Sequence, residues 1–441
     1  MKRKLFILSF ILITAEFVHA AALEKVIALA DDAPLLQAAK AKSQAYKKLY
    51  EAQKSLDYPS LDLTYSGTYL KEKPVMYMQS SFPLLPSGSA LQIQSQNQYK
   101  GTLRLSYALF SGFAVSSLID KAKYEAKKEA LVAQDTKRNL YLGVVALYAK
   151  ALSFKHLIDS QKITLEATQK SYDKAKAFYE LGLIAPSQLY RLEAALNAAK
   201  SRLLEIQNGY KVALTQLSAL VGKKIKQIQD LPPVHAVSLK TLTQEALTKR
   251  PDLLALSMMV HKQQSQIALA KSSYYPSVAL FAQASQVGDG VDLNGDGFTN
   301  KDRSAAGFVI NYNLFNGLKS SNEIQAAQAA KLSAETMLHS YADKVRSEVK
   351  ASYLTYTSLQ AQKKALQAQL QAQLSYEKLV LGEFENQMAD ADKLSRAIAA
   401  SAMARATLIA LNAKLYSAYA KMLLEVDTKH FLHTLKDANN D

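Results

Sequence analysis

Between Phe113 and Leu181 this chain holds no proline and a single glycine, Gly143; between Leu318 and Leu381 it holds neither. The stretch from Glu383 to Asp441 again lacks both, and Ser187 to Val221 contains only Gly209. Proline removes a helix hydrogen bond and clashes with the preceding turn, and glycine costs roughly 1 kcal/mol inside a helix. Such stretches, rich in Ala, Leu, Lys, Gln and Glu, therefore read as unbroken helix. A helix from Phe113 to Tyr179 extends roughly 100 Å at about 1.5 Å per residue. No compact globular domain needs that length; coiled-coil or tube-like packing does.

Ten of the fifteen glycines fall instead in two windows, 59–112 and 276–317, and there the periodicity changes to two. In SLDLTYSGTY, Leu61, Leu63, Tyr65 and Tyr69 face one way, and Asp62, Thr64, Ser66 and Thr68 the other. In TLRLSYALF, Leu103, Leu105, Tyr107 and Leu109 oppose Thr102, Arg104 and Ser106. Val278, Leu280, Ala282 and Ala284 repeat the first pattern, with Phe281 breaking its polar face. Phe308, Ile310, Tyr312 and Leu314 repeat the second, opposite Asn311 and Asn313. Strands of about ten residues with one apolar and one polar face suit a membrane barrel with a wet lumen. A half-buried soluble sheet has the same period.

The start of the chain favours the membrane. Lys2, Arg3 and Lys4 precede the apolar run LFILSFILITA, and Val18-His19-Ala20 offers a cleavage site, so residues 1–21 read as a signal peptide. With no cysteine, disulfides, thiolate chemistry and a lipidated N-terminal cysteine are excluded. No later segment reaches 18 consecutive apolar residues, so membrane insertion would be by strands. The formal charge of +16 is spread over helical segments, which reads as solvated helix faces and not as a nucleic-acid surface.

The chain is also duplicated. LFSG at 109–112 returns as LFNG at 314–317, an offset of 205, which also relates Val144 to Val349 and Tyr148 to Tyr353. YELGLIAPSQLYR, 179–191, returns at the same offset as FENQMADADKLSR, 384–396. Pro34 and Tyr58-Pro59 return as Pro251 and Tyr275-Pro276 at an offset of 217, so the first hairpin is the longer one. Each half reads helix, strand, hairpin loop, strand, very long helix, sharp turn, helix. Two halves give four strands, which cannot close a barrel, and open edges are not tolerated in lipid. The chain must oligomerise or pair its edges with something else.

Arg250-Pro251-Asp252-Leu253 opening a helix, Tyr275-Pro276-Ser277 entering a strand, Leu314-Phe315-Asn316-Gly317 leaving one, and GLIAPSQL at 182–189 at a helix turn carry a family resemblance. In order, spacing and duplication the chain resembles the TolC-type outer-membrane efflux proteins of Gram-negative bacteria, over essentially its whole mature length. The resemblance implies a mixed fold of membrane β-barrel and long α-helical barrel. It implies a homotrimer with a 12-stranded barrel in outer-membrane lipid and a 12-helix tunnel in the periplasm. On that frame the parts are a first repeat, 22–222; an equatorial linker, 223–249, with Pro232-Pro233; a second repeat, 250–426; and a C-terminal equatorial tail, 427–441. The implied function is a passive, gated exit duct for a tripartite efflux pump or a type I secretion system. Its partners would be a periplasmic adaptor and an inner-membrane pump of the RND or ABC type.

The resemblance also places functional residues. The second helix turn, 385–394, would form the periplasmic gate, with Asp390 and Asp392 as a ring of carboxylates that attracts cations. The bland reading is that they cap the following helix. Adaptor docking would use Gly182, Leu183, Pro186, Ser187 and Leu189 of the first turn with Gln387, Met388 and Leu394 of the second. Gln387 stands where a turn glycine is customary.

DLNGDGFTNKD, 292–302, opens like a calcium loop, with Asp292, Asn294, Asp296 and Asp302 as candidate oxygen ligands. It lies between two predicted strands and not between helices, and Arg303 stands where a bidentate Glu is expected. A weak Ca2+ clip on a surface loop and a metal-free Asn/Asp/Gly turn both fit; no other cofactor is expected. His430 and His433 have ligand spacing but no third partner. No catalytic constellation stands out, so no enzyme is expected. The competing reading, a trimeric surface adhesin displaying the calcium loop, would gather its strands at the C-terminus behind a heptad stalk, and this chain does not.

Overall fold

The computed structural model describes residues 22–78, 89–231, 238–295 and 302–440. The leader, Pro232-Pro233 and Asp296 lie outside the described residues. The first half runs α1 (Leu23–Ala30), α2 (Pro34–Lys54), β1 (Ser60–Tyr69), β2 (Val75–Met78), β3 (Ser89–Gln92), β4 (Asn97–Phe110), α3 (Ala114–Glu180) and α4 (Pro186–Val221). After α5 (Leu239–Lys249), the second half runs α6 (Pro251–Lys271), β5 (Ser277–Gly288), β6 (Asp302–Asn311), α7 (Lys319–Glu385) and α8 (Ala391–Leu424). The chain closes with α9 (Thr428–Asn440).

The duplication is kept in the helices that flank the sheet. Helices α3 and α7 are both 67 residues long and begin at Ala114 and Lys319, in step with the sequence motifs. Helices α2 and α6 are both 21 residues long and begin at Pro34 and Pro251. The LFSG and LFNG motifs have a shared job. Ser111 Oγ accepts from the Val115 N–H at 3.0 Å, and Asn316 Oδ1 accepts from the Ser320 N–H at 3.5 Å, so each supplies the opening turn of a long helix with a partner. Gly112 and Gly317 then take φ of 61° and 66°, which glycine adopts without steric cost.

The chain divides into two compact units. One comprises 42–130 and 255–339 and holds a four-stranded antiparallel sheet in the order β1-β4-β5-β6. Its register runs from Ser60↔Ser106 to Tyr69↔Asn97, then Tyr99↔Gly288 to Phe110↔Val278, then Ser277↔Asn311 to Gln286↔Asp302, with one irregularity between Ala108 and Phe110. Among the described residues nothing pairs with the outer edges of β1 and β6. Two details depart from the sequence reading. The long first loop forms its own ribbon, Val75–Met78 against Ser89–Gln92. Strand β6 ends at Asn311, before Tyr312 and Leu314, because its partner β5 begins at Ser277, which pairs with Asn311.

The other unit, up to residue 41 with 131–254 and 340–441, holds a helical core. Tyr141 and Tyr148, two turns apart on α3, are fully buried and pin the segments that cross it. The Tyr141 hydroxyl donates to Asp31 Oδ1 at 2.9 Å. The Tyr148 hydroxyl donates to the Gln229 carbonyl at 2.8 Å and accepts from the Gln229 N–H at 3.0 Å. Nearby, the RPDL motif is an ionic hub. Buried Arg250 binds Asp252 (Nε–Oδ1 2.9 Å), Glu425 (2.7 Å) and Glu348 (2.7 Å). The Tyr341 hydroxyl donates to Asp252 Oδ2 at 2.8 Å. Burial opposes the Asp252 charge, but the hydrogen bonds and charge of Arg250 outweigh it and hold that carboxyl below 3.8. Burial instead pushes Glu425 up, despite Arg250 and Arg138.

Candidate functional site

The two helix turns are built alike. At the end of α3, the Leu183 N–H reaches the Phe178 carbonyl at 2.9 Å and the Gly182 N–H reaches Tyr179 at 2.9 Å, with Gly182 at φ 75°. At the end of α7, the Met388 N–H reaches Glu383 at 2.7 Å and the Gln387 N–H reaches Phe384 at 3.1 Å, with Gln387 at φ 59°. This paired closure requires a left-handed residue. Glycine fills that position in the first turn and a glutamine, with a strained backbone, fills it in the second.

A small core joins the turns. Ala175, Leu192, Val380, Phe384, Ala391, Leu394, Ala397 and Ile398 are buried together, and the Phe178 and Phe384 rings lie 6.0 Å apart. Leu394, expected on a docking surface, is fully buried here: its place on the inward face of α8 makes it a core residue. Leu189 packs partly against the same cluster. Gly182, Leu183, Pro186, Ser187, Gln387 and Met388 are exposed. Leu181 and Tyr190, which the sequence reading did not single out, enlarge this apolar surface, at 72% and 65% exposure.

The carboxylates divide between two tasks. Asp390 is the N-cap of α8, its Oδ1 accepting from the Lys393 N–H at 2.7 Å. Asp392 does not stand free: it is ion-paired with both Arg191 of α4 and Arg396 of its own helix. Lys393 pairs with Glu383 at 2.6 Å, and Lys174 with Glu385 at 3.1 Å. The turns are thus laced by ion pairs that cross between helices. The sequence did carry a signal for them: Arg191 and Arg396 are equivalent residues of the duplication. The first-turn counterpart of Asp392 is Ser187, so Arg191 has no acid one turn back and reaches across instead.

The sheet presents the second feature. Leu61, Leu63, Tyr65 and Tyr69 on β1 and Phe308 and Ile310 on β6 are all exposed, Leu63 to 78%. Leu314 and Phe315 just beyond are 85% and 79% exposed. A continuous apolar face of this kind marks contact with lipid or a partner.

The calcium-loop residues are only partly gathered. Asp292 accepts from the Asn294 side-chain amide at 2.7 Å in a turn held by Leu293 N–H to the Gly290 carbonyl at 3.2 Å. Asp302 opens β6 and accepts from Gln286 Nε2 at 2.9 Å. Among the described residues no group of three or more His, Asp or Glu is placed to hold a metal. His430 Nδ1 faces Glu245 at 3.2 Å, a helix-to-helix contact.

Comparison with known proteins follows this geometry. The solved structure of CusC superposes with a TM-score of 0.79 over 92% of this chain and 92% of its own, at 16% identity. That of VceC from Vibrio cholerae superposes at 0.75 over 94% and 95%, at 17% identity. Among curated relatives, the fusaric acid resistance protein FusA of Burkholderia cepacia is 27% identical over 188 residues, 41% of this chain and 36% of that protein. The toluene efflux pump outer membrane protein TtgF of Pseudomonas putida is 25% identical over 252 residues, 55% and 49%. The chain thus spans about half or less of the length of these curated relatives. The sequence model described as outer membrane efflux protein matches residues 28–223 and 242–424, one stretch in each repeat. By that match the chain belongs to the outer membrane efflux protein family.

Proposed function

We propose that the chain is one subunit of a trimeric exit duct for a tripartite efflux pump or a type I secretion system. The sheet supports this most directly: it has four strands, and among the described residues both outer edges are unpaired and an apolar face is left open. Lipid tolerates neither unpaired edges nor a buried polar face, so closure requires further strands around a wet lumen. Three copies supply a 12-stranded barrel. The helices support the same reading. From Thr357 to Leu379 no residue of α7 is buried, although the segments before and after it contribute Tyr356 and Val380 to cores. Neighbouring copies in a 12-helix barrel would cover that stretch.

The helix turns would then be the periplasmic mouth. Leu181, Leu183, Tyr190 and Met388 offer an apolar surface for an adaptor, and the Arg191–Asp392 pair acts as a latch between α4 and α8. The carboxylate-ring role for Asp392 is accordingly recast as one half of a lock, with Asp390 serving α8 as its cap. The inner-membrane pump would supply both energy and cargo. The test is mass measurement of the purified protein in neutral detergent together with current in planar bilayers. A trimer that conducts supports the duct. A stable monomer, or a trimer silent both as wild type and with the latch removed by Arg191→Gln, sinks it.

A further inference from the structure

We infer that the duct prefers anions, and that Lys100, Arg104 and Arg303 on the polar face of the sheet set this preference. The inference rests on the trimeric duct proposed above. The register fixes which side chains share that face: Asp62, Thr64 and Ser66 on β1, Lys100, Thr102 and Arg104 on β4, Phe281, Gln283 and Ser285 on β5, and Arg303 on β6. The opposite face carries the exposed Leu61, Leu63, Leu103 and Leu105 and must meet lipid, so this one lines the lumen.

The charge on the lumen side is unbalanced. Among the described strand residues it has three cations and one carboxylate, Asp62, and none of the four is in an ion pair. Asp62 stands opposite Arg104 in the register, yet the two do not join. The Arg104 guanidinium lies over the Phe281 ring, 5.5 Å from its centroid, while Asp62 accepts from the Ser60 hydroxyl at 3.2 Å. Phe281, which shares this face of β5 with Ala279 and Val287, thus holds the arginine aside by a cation–π contact and leaves its charge uncompensated. The other strand acid, Asp302, alternates to the opposite face.

At the helix turns three of the acids are already ion-paired, Asp392 with two arginines, Glu383 with Lys393 and Glu385 with Lys174, while Asp390 keeps its charge as the cap of α8. Unpaired charges on a narrow wall of low dielectric focus the potential along the lumen. At about 0.1 M salt the Debye length is about 10 Å, so cations on adjacent strands act together. Repeated in three subunits, they would make the outlet a basic ring that favours anionic cargo.

The experiment is the reversal potential of the trimer in planar bilayers across a KCl gradient near 0.1 M. Wild type should pass chloride in preference to potassium. A Lys100→Gln/Arg104→Gln/Arg303→Gln variant should lose roughly threefold in that ratio, and Asp62→Asn should raise it. A potassium-preferring wild type overturns the inference. So does a ratio that neither variant moves, while conductance in those same recordings still upholds the duct. Absence of current in wild type and Arg191→Gln alike removes the duct itself, and the inference with it.

Discussion

Gln387 sits at φ 59° in a turn whose counterpart, Gly182, meets nothing within 4 Å of the position a side chain would take. A left-handed residue other than glycine costs roughly 1–2 kcal/mol. Gln387→Gly should therefore stabilise the second turn by about 1 kcal/mol, read as slower amide exchange at Met388 and Ala389. The RPDL hub makes the opposite kind of prediction. Arg250→Met leaves Asp252, Glu348 and Glu425 without their shared cation and should cost about 3–5 kcal/mol, seen in the urea midpoint. Asp252, held below 3.8, lends stability above that pH and withdraws it as the medium is acidified past it. Asp252→Asn should lack that acid-linked loss in pH-dependent denaturation. The Asp390 cap was legible in the sequence, because capping is local and depends on a single helix start. The double pairing of Asp392 was not, since it depends on the rotation of α4 against α8, and only the recurrence of arginine in both repeats hinted at it.

Helices were the most legible elements. A run without proline or glycine favours unbroken helix, and α3 ends two residues before Gly182, while α7 runs through Gly382 to Glu385. The strands of the main sheet were equally plain from period-two alternation, since each has a lipid-type face. Strands β2 and β3 escaped notice because four residues are too few to establish a period. Leu394 was misplaced for a related reason: a turn motif shows that the chain reverses, but not which face of the next helix turns inward. The exposed residues of those turns bear the docking test. On the proposed duct, Leu183→Asp and Met388→Asp should weaken adaptor binding at least tenfold in a pull-down or titration, with the proposed trimer's mass unchanged. Arg191→Gln, which frees one side of Asp392, should raise the fraction of time the channel conducts in bilayer recordings.

At the scale of the whole molecule the chain holds two hairpins in one sheet, and among the described residues nothing pairs their outer edges. Engineered cysteines can test the missing neighbour cleanly, because the natural chain has none. Scanning cysteine pairs along β1 and β6 should yield trimer-sized bands under oxidation, and only when one cysteine lies on each edge strand. The equal lengths of α3 and α7 have a further consequence. Each residue advances a helix by about 100° and 1.5 Å, so deleting a single residue from one of them would swing its turn out of phase with the other and misalign Arg191 and Asp392. Removing seven from one alone would nearly restore the phase but leave the turns about 10 Å apart in height. Only matched excisions from α3, α4, α7 and α8 together would preserve both. The reach of these four helices can therefore change only in matched increments, like the legs of a table that must all be cut to one measure.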